Sequence, residues 1–171
     1  MQMALLFQYG SNTNATRLNA PERLNGHAAD RGAARTVEAY RLAFDVWSVS
    51  NNCAAADLVR EGTEPAWGVL FEVPNELLSR ATSGSAKSFD QIEGEGTNYR
   101  RSWLPVLDRN GHLLIALTYV VARPQDDLRT SEAYVGHILK GLRDHDVPQN
   151  YIDAVKAIAI ANNPALAGRL P

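Results

Sequence analysis

Two short stretches of this sequence carry residue types and spacings that could do chemistry. The first is Gln8-Tyr9-Gly10-Ser11-Asn12, where an apolar run from Met3 to Tyr9 stops at a Gly-Ser-Asn turn. Successive backbone N–H groups of such a turn form a concave nest for an anion, and Gly10 lets a ligand approach the main chain closely. The second is Asp90-Gln91-Ile92-Glu93-Gly94-Glu95-Gly96, followed by Tyr99. A carboxylate directly before glycine, among other carboxylates, can be presented in a cleft for proton transfer. Neighbouring negative charge and partial burial raise its pKa toward that of a useful base. Taken singly, each stretch also has a plainer reading: a turn that ends a strand, and a solvated acidic loop.

The rest of the chemical catalogue is empty. There is no glycine-rich phosphate loop, no Gly-x-Ser-x-Gly elbow and no His-Glu-x-x-His helix. His27, His112, His137 and His145 are scattered and read as surface or hydrogen-bonded structural side chains. The lone Cys53 excludes an intrachain disulfide and any cysteine-rich metal site, and points to a cytoplasmic chain. Lys and Arg number 17 against 19 Asp and Glu, a net charge of −2, so no general pull toward nucleic acid or anionic membrane follows. The longest apolar run, Leu113 to Ala122, is broken by Thr118 and Tyr119 and falls well short of the ~20 residues of a spanning helix. The N-terminus lacks both the basic residues and the apolar length of a signal peptide.

The elements that must position those stretches follow from length and pattern. With 171 residues, 45% apolar and 21% charged, the chain is expected to be one domain over residues 1–171 with a real core. Met3 to Tyr9 reads as a buried strand, and Arg35 to Trp47, rich in Val, Tyr, Phe and Trp, as one or two more. Ala66 to Val73 alternates, with Val69, Phe71 and Val73 on one side and Gly68, Leu70 and Glu72 on the other. Tyr99 to Leu107 and His112 to Val121 flank Asp108-Arg109-Asn110-Gly111, a strong hairpin signal. Leu24 to Ala34 reads as loop. Asn75 is a fair cap for a short helix through Arg80, Gly84 to Lys87 reads as a flexible break, and Ser88 to Gly94 has room for one helical turn. Two helices close the chain. Ser131 caps the first, with Val135, Ile138, Leu139 and Leu142 at helical spacing; Pro148 opens the second, with Tyr151, Val155 and Ile158 or Ala159 on one stripe. Strands first and helices last predict an α+β fold: a mostly antiparallel sheet or small barrel, the Asn110-Gly111 hairpin at its edge, and two C-terminal helices against it.

In this order the segments resemble the γ-glutamylcyclotransferase superfamily, including the plant AIG2-like proteins. The features that carry the likeness are Tyr9-Gly10-Ser11-Asn12 after a strand, the strand Ala66-Trp67-Gly68-Val69-Leu70-Phe71, and the segment Phe89-Asp90-Gln91-Ile92-Glu93-Gly94 with Tyr99. At the end come Tyr134 to Ile138, Gly141, Val147-Pro148 and Tyr151. The likeness spans roughly residues 5–160. It departs at Gln8, where small residues are common, at Thr13, where Leu is usual, and at the extra Glu95-Gly96.

The resemblance implies conversion of a γ-glutamyl amide to 5-oxoproline and a free amine. The substrate's own α-amine attacks its γ-carbonyl, which asks for no enzyme nucleophile, metal or cofactor. It implies Glu93 as the catalytic base and then acid, with the family register favouring Glu93 over Glu95. It also implies Gln8, Tyr9, Gly10, Ser11, Asn12 and Tyr134 around a small-molecule γ-glutamyl substrate. A γ-glutamylamine or γ-glutamyl-protected intermediate as substrate, and a non-catalytic binding protein on this fold, remain as alternatives.

Overall fold

The computed structural model describes residues 2–81 and 87–171. The first apolar run forms β1 (Met3–Gln8), and the chain leaves it at Tyr9 for a 3-10 turn and a single helical turn, α1 (Ala15–Leu18). The next strand, β2 (Ala29–Ala39), starts inside the stretch expected to be loop. Its Gly and Ala residues are weak strand formers. Ala33 and Ala34 are nevertheless buried and β2 pairs along both edges, so ladder bonds and burial override propensity. Gly32, at φ 88°, takes the left-handed conformation at the bulge beside Asp30.

The Arg35 to Trp47 region holds the end of β2 and most of β3 (Arg41–Ser48), which pairs with β4 (Cys53–Val59) in a separate two-stranded sheet. No strand was expected at β4. Its Cys-Ala-Ala-Ala-Asp opening has little β-propensity, yet every residue through Leu58 is buried. β5 (Pro65–Pro74) follows the expected alternating run and lies between β1 and β2. Gly68 is required there, because a Cβ would collide with the Phe7 ring and the Gln8 main chain. After β5 the chain makes a 3-10 turn at Asn75–Leu78 rather than a helix through Arg80, with Pro74, not Asn75, in the cap position. Of the break read at Gly84 to Lys87, residues 84–86 lie outside the described residues.

α2 (Phe89–Glu93) occupies the expected single helical turn, closed by a capping box between Ser88 and Gln91. β6 (Tyr99–Asp108) and β7 (Leu113–Val121) then form the hairpin. Its connection is a type I turn with Gly111 at φ 80°, the Gly111 N–H donating to the Asp108 carbonyl at 3.0 Å. The hairpin was expected at a sheet edge. Instead β6 pairs with β2 and β7 runs parallel to β1 at Leu6 and Leu117, closing a barrel in the order β1-β5-β2-β6-β7. Closure removes the edge altogether.

The two terminal helices are α3 (Glu132–Asp144) and α4 (Gln149–Asn162). The Ser131 side chain accepts the Tyr134 N–H at 3.2 Å, and α3 buries Val135, Ile138, Leu139 and Leu142. On α4 the buried residues are Ile152, Val155 and Ala159, while Tyr151 and Ile158 are partly covered. His145, buried behind α3, is satisfied at both ring nitrogens by the Gly141 carbonyl and the Asp30 carboxylate. Among the described residues no helix is long and apolar enough to cross a membrane.

β4 is tied to β7 by Asp57, whose carboxylate accepts the Leu58 and Val121 N–H groups at 2.8 Å each. Asp45 of β3 lies beside it. Burial, then the Asp57 charge, push the Asp45 carboxyl up to about 6, with Arg41 pulling the other way. An acid whose folded pKa is raised holds its proton more tightly when folded, so stability falls as pH rises from about 4 to about 6 and stays lower above that window. Asp45→Asn removes this cost. We expect its melting temperature to exceed that of the wild type at pH 7 and to converge with it near pH 4, measured by thermal unfolding across pH.

Candidate active site

The turn after β1 is held from two sides. Within it, the Thr13 N–H and hydroxyl both donate to the Gly10 carbonyl, at 3.0 and 2.9 Å. From outside, α3 seats it through Tyr134, Ile138 and Gly141, which recur at i, i+4 and i+7 and so lie on one stripe. The Thr13 hydroxyl also reaches the Ile138 carbonyl at 3.3 Å, and Gly141 has no side chain where Thr13 packs. A Cβ on Gly10 would stand 3.3 Å from the Ala56 Cβ and 3.4 Å from the Tyr134 hydroxyl, so the loop runs directly beneath that phenol. Ser11 and Asn12 sit at the N-terminal end of the turn, where a helix offers its N–H groups no internal partner.

Glu93 is the last residue of α2, and Gly94 caps the helix in the left-handed conformation at φ 66°. The glycine lets the chain turn back immediately after the carboxylate. Glu93 Oε1 accepts from Asn12 Nδ2 at 2.6 Å, and the Asn12 carbonyl oxygen in turn accepts from Arg23. Burial pushes the Glu93 carboxyl up to about 7, against the opposing pull of Arg23, the Asn12 hydrogen bond and Arg17. It is therefore a stronger base than an ordinary glutamate. Asp90, three residues back, serves a different purpose. It takes a bidentate pair from Arg101 of β6 (3.0 and 2.7 Å) and the Tyr119 hydroxyl of β7 at 2.7 Å, which pins α2 to the barrel.

Four tyrosines complete the walls. Tyr134 accepts the Ala56 N–H at 3.0 Å, and Tyr99 donates to the Ala56 carbonyl at 2.6 Å, so one alanine of β4 orients both phenols. Tyr9 donates to the Tyr119 carbonyl at 2.5 Å, and Tyr119 is held by Asp90. Together with Gln8, Gly10, Ser11, Asn12 and Glu93 they enclose a cavity of about 30 Å³, room for a carboxylate or a water or two. It adjoins an outer chamber of about 370 Å³ that shares Ser11, Asn12, Glu93, Tyr99 and Tyr134. Glu93 lies at the junction of the two.

All seven residues singled out from sequence converge here: Gln8, Tyr9, Gly10, Ser11, Asn12, Glu93 and Tyr134 line the inner cavity. Glu95, the competing glutamate, is exposed and is absent from the lining of either chamber. The Asn12 side chain is committed to Glu93 and Arg23, and the Gln8 amide donates to the Phe7 carbonyl at 3.2 Å. Arg23, Ala56 and Tyr119 were not anticipated. Tyr119 left a trace, since Thr118-Tyr119 interrupts the apolar run of β7; Arg23 and Ala56 left none. Among the described residues no group of three or more His, Cys, Asp and Glu side chains converges as metal ligands would.

The AIG2-like family pattern matches residues 66–155, just over half of the chain, and the protein belongs to that family. No curated protein matches it in sequence. Its fold is shared with solved structures. A γ-glutamyl cyclotransferase aligns with a TM-score of 0.79 at 22% identity, covering 92% of this chain and 88% of that one. An uncharacterised human protein gives 0.79 at 23%, covering 92% and 89%. YkqA from Bacillus subtilis gives 0.77 at 20%, covering 95% of this chain and 56% of its own.

The seating of the loop on α3 is open to direct test. In Gly141→Ala the new Cβ meets the Thr13 backbone, which cannot rotate away, so helix and loop must separate. We expect a loss of about 1–3 kcal/mol in urea unfolding, typical of overpacking. Gly136→Ala on the same helix has nothing within 4 Å of its Cβ and should be neutral or slightly stabilising.

Proposed function

We propose that the protein is a γ-glutamyl cyclotransferase, releasing 5-oxoproline and a free amine from a γ-glutamyl amide. The observation that carries this reading is one partly buried glutamate, raised to about 7, at the junction of a small polar cavity and a larger chamber. Among the described residues that line the two chambers no serine, cysteine or threonine has a histidine beside it, so the arrangement suits proton transfer more than covalent catalysis.

In this reading the substrate's α-carboxylate enters the inner cavity, against the Gly10–Asn12 backbone N–H groups and the Ser11 hydroxyl. Its α-ammonium meets Glu93, and the γ-amide points to the outer chamber. Glu93 takes a proton from the α-ammonium, and the freed amine attacks the γ-carbonyl carbon to form the five-membered ring. The carbonyl oxygen becomes an oxyanion and draws on the loop donors and the Tyr134 phenol. As the oxyanion collapses, Glu93 returns the proton to the amide nitrogen and the C–N bond breaks; Glu93 then takes the second proton from the ring nitrogen and passes it to the amine, which departs as an ammonium. No water is consumed. The enclosing tyrosines hold the substrate folded, which is the main requirement of an intramolecular attack.

A base titrating near 7 works only when ionised, so kcat/KM for 5-oxoproline release should rise with pH through about 7. Glu93→Gln keeps the shape and removes the base; we expect a loss of at least ~10²-fold, with that pH limb gone. Glu95→Gln should retain both the rate and the limb. An active Glu93→Gln variant beside a dead Glu95→Gln variant would overturn the assignment.

A further inference from the structure

The outer chamber gathers three cationic side chains that do not touch the substrate in the reaction as proposed. Arg17 of α1, Arg23 of the following loop and Lys87 all line the outer chamber. The same three line an adjoining groove of about 540 Å³ that runs on to His137 and Lys140. Among the described residues none of the three forms an ion pair with a carboxylate, whereas Lys140 is paired with Asp144 at 2.6 Å.

The two arginines are held by amides. Arg17 donates to the Asn51 carbonyl oxygen at 2.8 Å, and Arg23 donates to Asn12. Their Nε atoms are shielded from solvent and have no protein partner. Burial lowers the pKa of Arg23 and the charge of Arg17 lowers it further, so the two guanidinium groups repel one another across the chamber. Glu93 and Glu22 offset this in part. A γ-glutamyl substrate consumes some of that compensation, because its α-ammonium occupies Glu93. Its α-carboxylate rests on the loop N–H groups of the inner cavity and Glu22 offsets Arg23, so Arg17 and Lys87 are the two cations left facing the leaving group.

Resting on the cyclotransferase reading, we infer that the outer chamber is a subsite for a leaving amine that carries two negative charges, such as an acidic amino acid or a short acidic peptide. A neutral γ-glutamylamine would leave the arginines unpaired and desolvated, a cost that discriminates strongly between otherwise similar ligands. Arg17 is the specificity-determining residue, since Arg23 is spent on positioning Asn12 and Lys87 is exposed.

The test compares γ-glutamyl-alaninamide, γ-glutamyl-alanine and γ-glutamyl-aspartate, whose leaving amines carry no, one and two negative charges. We expect kcat/KM to rise on the order of tenfold per charge at low salt, the scale of one hydrogen bond to a charged group. The steps should shrink at about 1 M salt, where the screening length falls to about 3 Å. Arg17→Gln should abolish the advantage of aspartate over alanine, and Arg17→Lys should keep most of it, because charge rather than packing carries the effect. Equal turnover of alanine and aspartate, or an undiminished preference in Arg17→Gln, overturns the subsite. Calorimetric titration of the Glu93→Gln variant with the same three amides reads the preference without turnover. Binding in the expected order with no 5-oxoproline from the wild type would uphold the subsite and overturn the reaction.

Discussion

A carboxylate placed where water cannot fully solvate it is the constraint around which this site is organised. Left alone in such a place Glu93 would stay protonated, and paired directly with an arginine it would be too weak a base. The arrangement lies between those limits. The neutral Asn12 amide donates to the carboxylate, and the cation, Arg23, stands one hydrogen bond further back. That relay sets the direction of the Asn12 amide as well, since an oxygen that accepts from Arg23 leaves the NH₂ group to face Glu93. The loop from Gly10 to Asn12 therefore does more than offer backbone donors, because it holds the group that tunes the base.

Keeping that relay in register takes contacts from most of the fold. α3 presses the loop into place with a stripe of one phenol, one backbone carbonyl and one missing side chain. The β3–β4 hairpin stands outside the barrel and contributes Ala56, whose N–H and C=O orient Tyr134 and Tyr99. α2 is short, and a helix of five residues has little stability of its own. It is held by its capping box, by the left-handed Gly94 and by the clamp of Asp90 on Arg101 and Tyr119. Asp90 and Glu93 are thus one device, an anchor and the group it positions.

The fold was legible where local chemistry and tertiary demand agree. Val69, Leu70, Phe71 and Val73 favour a strand locally and are buried in the barrel as one, and Ser131 caps α3 by accepting the Tyr134 N–H, a bond between near neighbours in the chain. It was illegible where they disagree. β2 and β4 are built from alanine and glycine-bearing stretches that only burial and ladder pairing make into strands. Their alanines are small for a reason visible only in three dimensions, since Ala56 must let Gly10 pass within van der Waals contact.

The site divides along the same line. The sequence by itself determined the segments that carry the chemistry, because a Gly-Ser-Asn turn after a strand and a glutamate before glycine are local devices whose spacing is written in the chain. It also narrowed the choice to Glu93 or Glu95, both followed by glycine. The family register favours Glu93, and the tertiary structure adds the physical difference between them: α2 ends at Glu93 and the left-handed Gly94 sends the next residues back toward solvent. Arg23, Ala56 and Tyr119 likewise enter the site through barrel closure and loop packing, which join positions far apart in sequence. No spacing rule encodes such contacts, because they depend on which surfaces the whole chain buries together.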